Sequence, residues 1–289
     1  ISLGTAPIAI FGTEEQKKKY LPGLASGEKI GAFGLTEPNA GSDAGNTQTR
    51  AVLDGDHYIV NGEKAFCTNA GVSSVLIFTA MIVENDKETD ISAFVVESNM
   101  EGLSFNPPEK KMGWCASDTR SIFFKDMRIP KSSILGSPDK GFKQFLQTLT
   151  SGRITIGALS IGTAQGAYNK ALAYSQEREA FGHPINNFQG VSFKLSDMAT
   201  KIEASRHLVY HAAWEKDQGL PAIKEASMAK LFSSETAMQV TTDAIQILGG
   251  YGYIKEYDVE RFFRDAKILE IGEGTSEIQR IVIARQILR

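Results

Sequence analysis

An α+β protein of separate domains, an antiparallel β domain followed by a C-terminal four-helix bundle, is predicted by one change of hydrophobic period and by chain length. From Gly27 to about Pro138 the apolar residues alternate with period two or form β-branched runs. Beyond Pro138 they recur every 3.6 residues and continue to do so to the end of the chain. A chain of 289 residues holds two domains with sizeable cores. The expected division is a helical remnant at 1–26, a middle β domain at 27–138 and a helical bundle at 139–289. The opening at Ile1, in what reads as mid-domain sequence, is the expectation of a fragment or of a chain ordered only in part.

In the first segment Thr13 and Gln16 have the spacing of a capping box ahead of EQKKKYL, and Pro22-Gly23 is expected to stop that helix. The clearest hairpin reads HYIV-NG-EKAF, with Asn61-Gly62 supplying the positive φ angles of a type I′ turn. Further strands read SVLIFTAMIV, ISAFVVES and RSIFFKDMRIP, an antiparallel pattern with no βαβ alternation. In the helical part, Gly157, Gly162 and Gly166 are placed to permit close helix contacts. Two more long helices run from Asp197 to Lys216 and from Lys224 to Leu248, separated by Gly219-Leu220-Pro221, and four or so helices of this length imply a bundle.

Composition excludes several classes of function. A net charge of −3 argues against a nucleic-acid or anionic-membrane surface. The longest apolar run, Val75 to Val83, is too short to insert across a bilayer. Cys67 and Cys115 form no disulfide framework, and His57, His183, His207 and His211 are scattered without a metal-binding spacing, so no metal is expected.

Five stretches carry possible chemistry. The first is RDAKILEIGEGTSEIQRIVIARQILR, Arg264 to Arg289, where one carboxylate, Glu273, stands between Gly272 and Gly274. Glycines allow that backbone to bend sharply and approach a ligand. A helix should follow, capped by Ser276 with Gln279 or by Thr275, with Ile278, Ile281, Val282 and Leu288 as its apolar face. The second, FGLTEPNAGS from Phe33 to Ser42, reads as an irregular loop leaving a strand. Its amides and the Thr36 and Ser42 hydroxyls suit a polar cofactor or a phosphate, and equally suit a long surface turn.

The third stretch places Phe66 and Thr68 on one face of a strand. There they either stack on and hydrogen-bond a flat heterocycle or form a core aromatic beside an exposed threonine. The fourth, REAFGHPINNFQ, sends Arg178 and Phe181 out of a helix end together; arginine suits phosphate, and helix C-termini favour cations in any case. The fifth, QILGGYGY, ends a helix on paired glycines where a C-cap needs one. G-x-G-x-x-G, Walker A and G-x-S-x-G patterns are absent.

Taken together and in order, FGLTEPNAGSDAG, NGEKAFCTNAG, MGWCASDTRSIFF, REAFG with Gln189, QILGGYGY and GEGTSEIQR make the chain resemble the acyl-CoA dehydrogenase family over essentially its whole length, nearest the short-chain, butyryl-type members. The resemblance implies a flavoprotein with FAD between β domain and bundle, part of the site being lent by a second subunit of a homotetramer. It implies that Phe33, Leu35, Thr36, Gly41 and Ser42 contact the flavin and its ribityl-pyrophosphate arm. Phe66 and Thr68 would flank the isoalloxazine. Arg178, Phe181, Gln189, Gln246, Gly249 and Gly250 would hold the adenine half from the neighbouring protomer, joined by Thr275 and Glu277.

The implied reaction is α,β-dehydrogenation of a short-chain acyl-CoA, straight or branched, to the trans-2-enoyl-CoA, with Glu273 as base and electrons passing to electron-transfer flavoprotein. Substrate contacts are implied for Ser42, Leu149, Arg153, Gly272 and Gly274. The implied location is cytoplasmic in a bacterium and the mitochondrial matrix in a eukaryote. The chain departs from common family patterns in carrying Phe66 for a tryptophan, Gly272 for a tyrosine and Thr150 for an aspartate. Alternatives on the same fold are an acyl-CoA oxidase or flavin monooxygenase; a non-catalytic flavoprotein fragment is a third reading, against which Glu273 speaks.

Overall fold

The computed structural model describes residues 2–138 and 140–288; Ile1, Asp139 and Arg289, which terminate the predicted segments, lie outside the described residues. The chain divides into two units, one of Ile1–Lys111 with Cys115–Leu149, the other of Met112–Trp114 with Thr150–Arg289.

The first unit opens with α1 (Ser2–Phe11) and α2 (Glu14–Ser26). The capping box forms: Thr13 Oγ1 accepts from Gln16 N at 3.2 Å, and Gln16 Oε1 accepts from Thr13 N at 3.1 Å. Pro22 does not stop α2. It costs one backbone donor near the helix end, and the last turn continues to Gly27, whose φ of +84° makes the left-handed cap.

Seven strands follow: β1 (Gly31–Gly34), β2 (Arg50–Asp54), β3 (His57–Thr68), β4 (Val75–Glu84), β5 (Lys87–Glu97), β6 (Leu103–Phe105) and β7 (Thr119–Pro130). The sheet is mixed rather than antiparallel. β4 pairs antiparallel with β5 on one edge, while its other edge is shared end to end by β1 and β2, both parallel to it. A central strand buried on both faces reads as a continuous apolar run, which is why VLIFTAMIV shows no alternation. Leu76, Phe78, Ala80 and Ile82 face one core with Phe94 and Phe124. Val75 and Ile77 face the other, with Ile8, Tyr20, Leu24 and Phe145 from the helices.

Asn61-Gly62 is not a turn. Both residues lie inside the twelve-residue β3, at a register shift where Gly62 takes φ +143°. A Cβ there would stand 2.7 Å from Thr49 Cα, so glycine is needed for close approach of a second backbone. The two-residue turns fall at Gly55-Asp56, between β2 and β3, and at Asn85-Asp86, between β4 and β5. Asn85 and Asp86 have φ 51° and 60°, the type I′ geometry predicted for Asn61-Gly62.

The second unit takes residues of α3 (Gly141–Glu177) from Thr150 onward, then α4 (Gln189–Asp217), α5 (Ile223–Leu248), α6 (Val259–Ala266) and α7 (Ser276–Ile287). Three long helices and the short α6 share one core, rich in small side chains. Ala164, Ala167 and Ala171 of α3 meet Ala226, Ala229, Ala237 and Ala244 of α5, all with no exposed surface. Gly157 and Gly166 do allow close contact: a Cβ would lie 2.8 Å from Val209 and 2.7 Å from Phe262 respectively. Gly162 has nothing within 4 Å of that position and plays no such part among the described residues. Among the described residues no helix is long and apolar enough to cross a membrane, and no group of three His, Cys, Asp or Glu side chains is placed to hold a metal.

Candidate active site

Glu273 sits in the loop between α6 and α7 after a single turn of 3₁₀ helix at Lys267–Glu270. The sharp bend expected of its flanking glycines falls largely on the glutamate itself. Glu273 has φ 54° and Gly274 φ 95°, while Gly272 keeps ordinary φ. A left-handed glutamate stores roughly 1–2 kcal/mol of backbone strain, tolerated only where surrounding contacts hold it. Those contacts converge on the next carbonyl. Gly274 O accepts from Lys230 Nζ at 2.8 Å and from Gln279 Nε2 at 2.8 Å. Both donors are wholly buried.

The helix after Glu273 is therefore built differently from the expectation. Thr275 is the N-cap, accepting from Ile278 N at 3.3 Å. Ser276 caps nothing, because Gln279 turns inward to the loop instead of closing a box with it. The buried residues of α7 are Ser276 and Gln279, whereas Ile281 and Leu288 of the predicted apolar face are 44% and 83% exposed.

The Glu273 carboxylate points at α3. A Cβ added to Gly152 would stand 1.8 Å from Glu273 Oε2, so the helix carries glycine where the carboxylate needs room. Next to it Arg153 is buried, donating from Nη1 to Ser227 Oγ at 3.3 Å. Unpaired buried atoms gather here: Glu273 Oε2, Arg153 Nε, Ser276 Oγ and Gln279 Oε1 have no hydrogen-bond partner. Burial pushes the Glu273 carboxyl up to about 7, against the pull of Lys230 and then of Arg153. Burial likewise draws Lys230 down to about 8, resisted by Glu273 and Glu270. A carboxylate poised near neutrality, with an unsatisfied oxygen and two buried cations beside it, can accept a proton from a ligand.

Around Gly272, the only atoms within 4 Å of an added Cβ among the described residues are Ile268 O at 3.3 Å and Ile268 Cγ1 at 4.0 Å. Tyr251 and Tyr253 do not fill that space. Tyr251 packs with Tyr174 and Tyr257, and Tyr253 is 85% exposed.

Elsewhere in the second unit, Arg178, Gly249 and Gly250 come together in a groove of about 450 Å³ with Tyr174, Tyr251 and Ile254. The Arg178 guanidinium lies over the Tyr251 ring, 5.7 Å from its centroid. Gly249 and Gly250 leave open space where side chains would be. One cation, an aromatic rim and two bare backbone positions fit a flat, anionic ligand such as the adenine and pyrophosphate of FAD. Phe181 is 94% exposed with φ 52°. Gln189, Gln246 and Glu277 are exposed, and Thr275 is half-buried.

In the first unit, two predicted stretches are brought side by side. Thr36 O accepts from Ala65 N at 2.8 Å, which seats Phe33–Thr36 against the strand that bears Phe66 and Thr68. Phe33 stacks on Phe145 at 4.3 Å, and Leu35 is half-buried. Phe66 is no core aromatic. It is 68% exposed, at a bulge with φ 56°, and Thr68 is exposed on the same face. A bulky residue held left-handed with its ring in the open fits a stacking platform. Gly41 and Ser42 lie in the exposed loop, and Leu149 is half-buried on α3.

This loop is pinned by a pair that sequence reasoning missed. Lys64 Nζ donates to Glu37 Oε1 at 2.7 Å, Leu35 O at 3.2 Å and Thr79 Oγ1 at 3.1 Å, all out of solvent. Glu37 also accepts from Gln48 N and from Thr49 N and Oγ1. Lys230 and Gly152 were missed as well, and the sequence shows Gln279 only as a capping partner. The signal for Lys230 was a lysine at helical spacing between Ala226 and Ser233, on the buried stripe of α5.

The chain matches the acyl-CoA dehydrogenase N-terminal domain over residues 1–28, the middle domain over 32–127 and the C-terminal domain over 139–288. It is 50% identical to a short-chain-specific acyl-CoA dehydrogenase of Clostridium acetobutylicum, over 100% of this chain and 76% of that protein. Among solved structures it superposes with a TM-score of 0.96 and 46% identity on butyryl-CoA dehydrogenase from Megasphaera elsdenii. It does so with 0.96 and 50% identity on a chain described with the electron-transferring flavoprotein of Acidaminococcus fermentans. Each match covers 100% of this chain and 76% of the other.

Proposed function

The chain belongs to the acyl-CoA dehydrogenase family of FAD-dependent oxidoreductases, and on that footing we propose that Glu273 is the base that takes the α-proton of a short-chain acyl-CoA. The observation that carries this reading is the geometry of Glu273: a strained, half-buried carboxylate with one unpaired oxygen, fenced by glycines and raised to about 7. An acyl thioester bound there supplies a weakly acidic C–H to the unpaired carboxylate oxygen. The Glu273 backbone N–H is assigned the role of donor to the thioester oxygen as negative charge grows on it. Arg153 and Lys230 stabilise the carboxylate before the transfer and moderate the rise in its pKa. The chemistry that bound FAD supplies is acceptance of the β-hydrogen as hydride, which completes the trans-2-enoyl product.

We assign Phe66 and Thr68, with Phe33, Leu35, Thr36, Gly41 and Ser42, to the flavin end of the cofactor. Arg178, Phe181, Gln189, Gln246, Gly249 and Gly250 are assigned to its adenine half, from a neighbouring protomer of a homotetramer, with Thr275 and Glu277 beside them. Ser42, Leu149, Arg153, Gly272 and Gly274 are assigned to the substrate. Electron-transfer flavoprotein is the proposed acceptor. The likeness to the butyryl-CoA enzyme supports a short acyl chain, and the space beside Gly272 supports tolerance of branching.

The test is anaerobic addition of acyl-CoAs of increasing length, straight and 2-methyl-branched, while flavin absorbance is followed. Rapid bleaching by butyryl-CoA is expected. No bleaching by any member of the series would refute the proposal, and reoxidation by oxygen as fast as by electron-transfer flavoprotein would move the chain to the oxidases.

A further inference from the structure

Lys230 is an uncommon residue to find where it is. It lies mid-way along α5 with no exposed surface, flanked on its own stripe by Ala226, Ser227, Ser233 and Ser234. Burying an ammonium costs several kcal/mol unless it is paired and hydrogen-bonded. Its one hydrogen bond among the described residues goes to Gly274 O, the carbonyl directly after the base. A neutral amide, Gln279 Nε2, already donates to that same oxygen at 2.8 Å and reaches Glu273 O at 3.4 Å. A second neutral donor would have completed the turn, so the ammonium brings something that the amide does not: charge.

We propose that Lys230 is the positioning residue of Glu273, its buried ammonium clamping the Gly274 carbonyl so that the left-handed loop stays closed and supplying the positive charge that faces the carboxylate. This rests on the reading of Glu273 as the base. The loop needs such a clamp because Glu273 and Gly274 are consecutive left-handed residues, a conformation that persists only where surrounding contacts hold it. The carboxylate is faced by Lys230 from α5 and Arg153 from α3, and Lys230 is faced in turn by Glu273, by Glu270 from the preceding turn, by Arg153 and by Glu277 from α7. Arg153 stays ionised at all working pH values. Lys230, drawn down to about 8, changes charge close above the pH at which Glu273 does, so the loss of its charge falls within the upper part of the Glu273 titration.

The experiment follows the protonated-carboxyl band of Glu273 by infrared difference spectroscopy from pH 5 to 10 in the flavin-loaded protein, the band being assigned by its loss in Glu273→Gln. In the unaltered protein the titration should stretch beyond the two pH units of an isolated acid, because losing the Lys230 charge makes the carboxylate more basic. Lys230→Met should narrow the curve and raise its midpoint by on the order of one pH unit. Lys230→Arg should keep the midpoint within a few tenths of a unit. Gln279→Leu, which removes the neutral donor, should lower the rate of flavin reduction and leave the midpoint in place.

A purely structural lysine would lower thermal stability and move no midpoint. An unstretched one-proton curve in the unaltered protein overturns the proposal even if the Lys230 variants do not fold, and so does an unmoved midpoint in Lys230→Met. A stretched curve with no matching pH dependence of flavin reduction would uphold the coupling and refute the base instead.

Discussion

The two units each bury a carboxylate beside a lysine, and the two pairs have opposite fates. In the β unit Glu37 accepts from Lys64, from the Thr49 amide and hydroxyl and from the Gln48 amide. Against the upward push of burial, Lys64, Thr49 and Gln48 hold that carboxyl below the ordinary range. In the helical unit Lys230 spends its hydrogen bond on a backbone carbonyl, and Glu273 keeps an oxygen unpaired. Burial then wins, and the carboxyl rises to about 7. Burial alone therefore does not make a base. What separates the lowered from the raised carboxylate here is the number of donors left over once the backbone has been served.

The contrast is broken most severely at Glu273. Glu273→Gln keeps shape and removes basicity, so flavin reduction by butyryl-CoA should fall by about 10³-fold or more while flavin stays bound; stopped-flow absorbance measures it, and a loss under tenfold would point to another base. At the other pair the damage should be to folding. Lys64→Met leaves the Glu37 carboxylate buried without its cation and should cost about 3–5 kcal/mol in urea unfolding. Replacing both partners, Lys64→Met with Glu37→Leu, should recover most of that loss, and a double variant as unstable as the single one would contradict this account.

Gly152→Ala tests the space for the base. Its methyl group would displace the carboxylate, and a shift near 1 Å should lower kcat by on the order of 10²-fold with little change in melting temperature. Unchanged kcat would mean that the carboxylate turns elsewhere at no cost.

The pairs should also respond oppositely to pH. Glu273 has a raised pKa, so between about 4.5 and about 7 the folded state binds more protons, and its contribution to stability is lost as pH rises through that window. Glu37 has a lowered pKa, so its contribution is present above the ordinary carboxylate range and is lost as pH falls. Melting temperature against pH should flatten on the neutral side in Glu273→Gln and on the acid side in Glu37→Gln; identical profiles would remove the distinction.

The smallest effect is expected at Gly272. Gly272→Tyr has to ease past Ile268 O at 3.3 Å and would occupy the space beside the base. It should reduce kcat/KM for a 2-methyl-branched acyl-CoA several-fold relative to butyryl-CoA, and an unchanged ratio would show that this position does not set specificity.

Much of this molecule is local in origin and was legible from residue order. The capping box at Thr13, the long strands, the breaker at Gly219-Leu220-Pro221 and the lone carboxylate of GEGTSE all depend on neighbours within a few residues. Where reading failed, a distant partner had intervened. Asn61-Gly62 carries every mark of a turn, yet the approach of Thr49 makes it a bulge. Parallel pairing of β1 and β2 along one edge of β4 leaves no local trace, since strand direction is decided by the connection and not by the side chains. Ser276 and Gln279 have the spacing of a cap, but Gln279 serves Gly274 instead. The sequence alone determined which carboxylate to examine. Only the tertiary structure set its pKa, because burial, the gap left by Gly152 and the Lys230 ammonium all come from helices far along the chain.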